Sequence, residues 1–342
     1  MARFSSDNAS GISPEIMKAI QAANDGDAMA YGNDAVTQRL EGKIAELFET
    51  DCRVFPVATG TIANCLALAS IAKPYGAIFC HRNSHIEVDE CGGPELFSGG
   101  SKLKLLDGAN AKFSATDLEA AIEGSGLGGV HHSQVTGVSM TQASELGTIY
   151  ELSEIKAIAD VSHKYGLKLH MDGARFANAV ATLSCSPADA TWKQGVDLMS
   201  FGATKNGAMA AEAVIFFNQA LGQEFEFHRK RAGQLTSKMR FISAQLEAYI
   251  CDDLWLQNAR HANKMAQKLA TGLAALPGAE LFAPVEGNQV FVNLPPALTA
   301  VLRQAGIQCH TWEGDTVRFV ASFNTNPAAV EEVIDMAGRH AT

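Results

Sequence analysis

The chain has 342 residues, of which 47% are hydrophobic and 19% charged, and carries a formal net charge of -10. That size and apolar content suit one large α/β domain with a smaller one attached. The acidic balance argues against a partner gripped by its phosphate backbone, which needs clustered Lys and Arg, so no nucleic-acid partner is expected. Met1-Ala2-Arg3-Phe4-Ser5-Ser6-Asp7 lacks the apolar run of a secretion signal, and no stretch approaches the roughly 20 apolar residues of a membrane helix. A cytoplasmic protein without a membrane partner is the expectation.

Apolar runs at 52–57, 77–80, 135–141, 167–171, 198–201 and 213–217 read as strands. Helical patterns alternate with them through the first three quarters of the chain, the arrangement of a mostly parallel sheet with crossover helices. Thr59-Gly60-Thr61-Ile62-Ala63-Asn64 follows the first run and opens a helix. Such a glycine turn presents backbone N–H groups to an anion, and equally reads as an ordinary turn capped by Thr59. His85, in Asn83-Ser84-His85-Ile86-Glu87, lies in the loop after the second strand. An imidazole there is placed to stack on a conjugated ring or move protons, or is simply solvated.

Ser114-Ala115-Thr116-Asp117 opens a helix in the manner of a capping box, and a helix at 152–165 closes on Gly166. Gly124-Ser125-Gly126-Leu127-Gly128-Gly129 matches G-x-G-x-x-G but follows a helix and precedes a strand. The dinucleotide fingerprint needs the reverse order, so this is read as a flexible loop, and the neighbouring His131 and His132 as surface residues without metal-ligand spacing.

Two segments are the most informative. His170-Met171-Asp172-Gly173-Ala174-Arg175 and Phe201-Gly202-Ala203-Thr204-Lys205-Asn206-Gly207 each follow a buried strand. They would set an Asp and a Lys at the carboxyl edge of one sheet, where open α/β folds bind ligands. Pyridoxal phosphate requires that pair: a lysine amine for a Schiff base and a carboxylate beside the ring nitrogen. Either residue alone reads as a surface charge; together, flanked by small residues that admit a flat ligand, they point to the cofactor.

A Lys- and Arg-rich helical region is expected over 219–276, ended by Pro277-Gly278. Its cluster Arg229-Lys230-Arg231, with Lys238 and Arg240 beyond, reads as a solvated face or as one turned to a neighbouring subunit's phosphate. Short strands follow at 289–294, 306–310 and 316–321, with helices at 296–304 and 327–339. The domain boundary is expected near residue 250. That division gives a large cofactor-binding domain, 1–250, whose first 15 residues are free to pack on the small domain, and a small C-terminal domain, 251–342. Arg318, alternating with apolar neighbours in Thr316-Val317-Arg318-Phe319-Val320, suits bidentate capture of an amino-acid carboxylate, or a structural ion pair. Arg175 suits that carboxylate or the cofactor phosphate. The seven cysteines form no C-x-x-C pair. Cys52, Cys65 and Cys80 read as reduced core residues, and Cys91 has acidic neighbours, unlike an activated thiol.

Ser6-Asp7-Asn8, Tyr31-Gly32-Asn33-Asp34, the Thr59–Asn64 turn, Ser84-His85-Ile86, the Asp172 and Lys205 segments and Val317-Arg318-Phe319 together resemble the threonine aldolase family, almost end to end. This family belongs to the fold-type I, aminotransferase-like pyridoxal-phosphate enzymes. The resemblance implies a mostly parallel seven-stranded sheet plus a small C-terminal α/β domain. It further implies that Lys205 forms the internal aldimine, Asp172 pairs with the pyridine nitrogen and His85 stacks on the ring. Gly60, Thr61 and Thr204, with Arg240 of the basic cluster, would hold the phosphate. Ser6, Arg175 and Arg318 would bind the substrate carboxylate, and Tyr31 would reach into the partner subunit's site, in a dimer of dimers with shared active sites.

Two departures from the family pattern stand out. Where many members carry Asn-Thr-His-Asn, this chain has Thr141-Gln142-Ala143-Ser144, which leaves Gln142 to meet the substrate but unable to act as a base. Asp89 replaces a tyrosine four positions after the loop histidine, where a carboxylate would meet the β-substituent or its hydroxyl. The implied reaction is aldol cleavage of L-threonine or a related β-hydroxy-α-amino acid such as phenylserine, through an external aldimine and a quinonoid, to glycine and an aldehyde. His85, Asp89 or a water are the candidates to take the hydroxyl proton. β-Elimination or serine–glycine interconversion on the same scaffold is the alternative.

Overall fold

Six of the strand-forming runs, with one further segment, assemble edge to edge. The structure, a computed structural model, describes residues 4–341. Its large sheet contains β1 (Arg53–Val57), β2 (Gly76–His81), β3 (Lys102–Leu106), β4 (Gln134–Thr141), β5 (Lys168–Gly173), β6 (Leu198–Gly202) and β7 (Glu212–Phe216). They lie in the order β1-β7-β6-β5-β4-β2-β3, all neighbours parallel except β7, which runs antiparallel to both β1 and β6. Helices cover both faces. The helix Gly60–Ala69 packs Leu66 and Leu68 with Phe55, Val214 and Phe216 on one side. On the other, Phe201 lies edge-on or tilted against Phe48, Phe176, Tyr249 and Trp255. Burial on both faces is why β2, β6 and β7 read as continuous apolar runs rather than alternating ones.

Strand β3 escaped the sequence reading for the opposite reason. It is an edge strand, half-exposed, and carries Lys102 and Lys104, charges that discourage pairing with another chain. The region expected as one long helix is divided into Phe225–Arg231, Arg240–Ile250 and Leu254–Ala274. Gly233 at φ 74°, then Asp252 and Asp253 at φ 51° and 59°, turn the chain between them. Asp is among the few side chains that tolerate this region.

The helix Leu254–Ala274 belongs to two cores. Trp255 and Ala259 pack under the large sheet, whereas Met265, Leu269 and Leu273 pack with Val290, Val292 and Phe319 of a second sheet. That sheet has β8 (Glu280–Leu281), β9 (Gln289–Asn293), β10 (His310–Thr311) and β11 (Thr316–Val320), antiparallel in the order β10-β11-β9-β8. The run expected as a strand over 306–310 pairs only at its end, because Gly306, at φ 85°, still closes the preceding helix Pro296–Gln304. Phe4 is buried in this second core, accepts from Val320 N at 2.8 Å and donates to Gln308 O at 2.9 Å. All seven cysteines are free; burial pushes the Cys52 and Cys80 thiols up to about 12.

Candidate active site

The carboxyl ends of β5 and β6 can lie side by side because each finishes on glycine. A Cβ at Gly202 would stand 2.8 Å from the Ala174 backbone, and one at Gly173 would stand 2.6 Å from Ser200 O. Asp172, the residue before Gly173, is buried; its Oδ1 accepts from Ala174 N at 3.0 Å and its Oδ2 from Asn64 Nδ2 at 2.7 Å. After β6 the short turn Thr204–Asn206 is anchored from below, Asn206 Nδ2 donating to Tyr249 Oη at 2.9 Å and Trp255 O at 2.8 Å. That anchor projects Lys205 into a cavity of about 380 Å³. Burial lowers the Lys205 pKa and the Arg175 charge adds to the effect, against Asp7, Asp172 and Glu212. A lysine so placed is more readily a neutral nucleophile.

The cavity brings together Lys205, Asp172, His85, Arg175, Thr204, Gly60 and Thr61. Thr59 caps the helix Gly60–Ala69, its hydroxyl accepting from Ile62 N at 3.3 Å, which leaves the first N–H groups of the helix to the cavity side. Arg175 is clamped, with Nε and Nη2 donating to the two Asp7 carboxylate oxygens at 2.8 and 3.0 Å. Asn288 adds a third bond to Asp7 at 3.0 Å.

Four further polar residues at or beside the cavity were not singled out from sequence as site groups. Asn64 sits among Ala63 and Cys65 on an apolar helix face, and a lone amide in such company is the one signal that was available. Glu90, its side chain sealed from solvent, accepts from His85 Nδ1 and Asn64 Nδ2, both at 2.8 Å. Glu145 accepts from Thr141 Oγ1 at 2.7 Å and from His85 N at 3.1 Å, and burial pushes its carboxyl up to about 7. Glu212, at the mouth of β7, accepts from Thr204 N at 3.3 Å and is likewise pushed up to about 7 by burial.

The sequence matches the beta-eliminating lyase family over residues 3–295. Over 333 residues it is 44% identical to the low specificity L-threonine aldolase of Pseudomonas sp. (strain NCIMB 10558), spanning 97% of this chain and 95% of that one. The chain belongs to the threonine aldolases of the beta-eliminating lyase family. The low specificity L-threonine aldolase of Pseudomonas aeruginosa is also 44% identical over 333 residues, with the same coverage. The threonine aldolase of Leishmania major superposes with a TM-score of 0.94 at 28% identity, covering 100% of both chains. This threonine aldolase is thus a lyase of the fold-type I pyridoxal-phosphate class, and its donor set fits that cofactor. A half-buried lysine and a buried carboxylate stand at adjacent strand ends, an imidazole lines the same cavity, and a helix N-terminus opens beside them, with Asn64 Oδ1 buried and unpartnered among the described residues.

Not every expected site residue of this threonine aldolase reaches the cavity. Gln142 is fully buried away from it; its amide donates to Tyr150 O and accepts from Tyr150 N, both at 3.0 Å. The expectation that it binds substrate is therefore corrected: its side chain is consumed in satisfying a buried backbone. Asp89 is exposed and outside the cavity wall, its neighbour Glu90 being the carboxylate that turns inward. Ser6 accepts from Asn8 N at 3.1 Å and caps a short turn, and Asn8, not Ser6, lines the cavity. Arg318 is not among the residues lining the cavity; its Nη2 reaches Ser5 O at 3.5 Å and its guanidinium lies 5.9 Å from the Trp312 ring centre. Burial lowers its pKa, and Arg175 lowers it further. Tyr31 is exposed, in a separate cleft with Arg53, Glu226 and Arg229, and Lys230 lies 5.2 Å above its ring. Arg240 donates to Gly26 O at 3.0 Å, away from this chain's cavity, so within one chain it holds no phosphate.

Proposed function

We propose that this threonine aldolase cleaves L-threonine and related β-hydroxy-α-amino acids, phenylserine among them, to glycine and an aldehyde. The observation that carries the reading is the half-buried Lys205 side chain and the buried Asp172 carboxylate at the ends of adjacent parallel strands, in one cavity with Arg175. Lys205 would hold pyridoxal phosphate covalently, Asp172 would hold its ring nitrogen, His85 would lie along the ring, and Gly60, Thr61 and Thr204 would take its phosphate. When bound, the cofactor supplies a conjugated cation that draws electrons from a bond at the substrate's α-carbon.

The chain's own residues decide which bond that is. Arg175 spends Nε and Nη2 on Asp7, which leaves Nη1 for the substrate carboxylate in a fixed direction. Arg318, close enough for its charge to couple with Arg175, adds to the local positive potential. A carboxylate gripped there orients the Cα–Cβ bond, and His85, on the same cavity wall, stands for the oxygen at Cβ, directly or through a water; exposed Asp89 lies outside that wall.

Among the described residues the only Lys and Arg side chains on the cavity wall are Lys205 and Arg175. That shortage supports a homo-oligomer, a dimer of dimers, in which the partner's copies of Arg240 and Tyr31 complete the site. We also propose a cytoplasmic location and a division between domains near residue 250. No helix of the described residues is long and apolar enough to cross a membrane.

The second reading is β-elimination, favoured by the family to which the chain belongs. Incubation of purified enzyme with threonine and phenylserine separates the two. Glycine with the matching aldehyde is expected, whereas ammonia with a keto acid would overturn the aldolase reading.

A further inference from the structure

His85 is the cavity imidazole, and its ring is held from behind. Nδ1 lies 2.8 Å from Oε1 of Glu90, a carboxylate whose side chain has 0% exposure while that of His85 keeps 37%. The same oxygen accepts from Asn64 Nδ2 at 2.8 Å, and Oε2 lies 3.6 Å from Cys65 Sγ, which donates to it. Asn64 Nδ2 also reaches Asp172 Oδ2 at 2.7 Å, so one amide ties Glu90 to the cofactor-facing carboxylate.

Three donors converging on a buried carboxylate favour its ionised form, and an ionised carboxylate on Nδ1 favours a charged imidazole. The other charged groups facing His85 are Asp172 on β5, which acts in the same sense, and Lys205 after β6, which opposes it. Glu145 holds the His85 backbone N–H rather than its ring. The hydrogen bond that His85 donates to Glu90 is the largest influence on the imidazole and raises its pKa above 6.5, with burial opposing. Burial also raises Glu90, but the half-open imidazole keeps contact with water and is the better place for the shared proton.

We infer that Glu90 is a positioning residue for His85, fixing the plane of the ring, favouring its protonated form and leaving Nε2–H as its donor toward the substrate. In that state His85 donates to the oxygen at Cβ and does not remove its proton, which assigns proton removal to another acceptor such as water. The inference rests on the proposed aldolase reaction only for what Nε2 meets. The charge and orientation of the ring stand apart from it.

The test is a pH titration of side-chain-labelled histidines by NMR on the cofactor-loaded enzyme, His85 being identified by the signal lost in His85→Asn. The wild-type His85 midpoint is expected above 6.5, and Glu90→Gln, nearly isosteric but neutral, should lower it by about 1–3 pH units. The alkaline limb of kcat/KM for threonine should move down by the same amount, kcat falling more than KM changes. In the His85→Asn background Glu90→Gln should have no further effect on kcat, which a merely structural residue would not satisfy. A wild-type midpoint at or below the ordinary value overturns the inference even if the variant fails to fold. So does an unmoved midpoint in Glu90→Gln, or an equal loss of kcat with and without His85. Absence of aldehyde from threonine alongside the expected titration shift would instead remove the aldolase reading and leave the role of Glu90 standing.

Discussion

Removing Asp7 should be among the most damaging changes outside the hydrophobic cores. The residue is 1% exposed and receives two bonds from Arg175 and one from Asn288, at 2.8 to 3.0 Å. It therefore joins the N-terminal segment, the loop after β5 and the approach to β9. Asp7→Ala leaves a guanidinium with 15% side-chain exposure without this acceptor and takes one of two acceptors from the buried Asn288 amide, which keeps Ala321 O at 2.7 Å. Breaking a buried ion pair from one side costs about 3–5 kcal/mol. The remaining water access of Arg175 sets the expectation near the lower end, about 3 kcal/mol.

Asp160→Ala is the control. It breaks the Lys156–Asp160 pair, whose side chains are 51% and 61% exposed, and such a pair contributes under about 1 kcal/mol. Urea unfolding followed by tryptophan fluorescence measures both, with comparable slopes required for the comparison. Burial alone would raise the Asp7 pKa, but the Arg175 charge and hydrogen bonds, with Lys205 and Asn288, hold it below 3.8. A carboxylate depressed in the folded state stabilises it above the unfolded value and loses that contribution as the pH falls through the folded one. The gap between wild type and Asp7→Ala should thus be full at pH 7 and shrink below about pH 3.8. A loss at pH 7 no larger than that of Asp160→Ala would refute the reasoning.

Lys205→Ala loaded with pyridoxal phosphate should lack the visible absorbance band of the lysine-bound cofactor, and an unchanged spectrum would remove the assigned role of this amine. Gly202→Ala places a methyl 2.8 Å from the Ala174 backbone and should cost about 1–3 kcal/mol while weakening cofactor retention; an unaltered melting temperature would contradict that close approach. Glu212, raised by burial from 4.5 to about 7, binds a proton more tightly folded than unfolded, so it makes the cofactor-free enzyme lose up to about 3 kcal/mol of stability as the pH rises across that interval. Glu212→Gln should flatten the fall in melting temperature between those pH values, and parallel curves for the two proteins would show that the group titrates normally.

The pairing of Lys205 with Asp172 was legible from the chain alone because it depends on local pattern. Uninterrupted apolar runs ending in small residues mark buried parallel strands, and parallel strands deliver their following residues to one edge. Capping residues such as Ser114 and the stop at Gly166 are equally local. What tertiary structure decided is which polar side chain faces which neighbour. Asp89 and Glu90 are adjacent acids with no pattern to separate them, and only the packing of Asn64, Cys65 and His85 turns the second inward. Gln142 occupies a position that suggested substrate contact until the backbone of Tyr150 claimed its amide. The clamp of Asp7 on Arg175 joins residues separated by 168 positions, a proximity created when the N-terminal segment lies against the residues that follow β5. Periodicity records which face of an element is apolar; the partner of a buried charge is chosen by distance in space, because a charge withdrawn from water must find its counterpart wherever the fold brings one near.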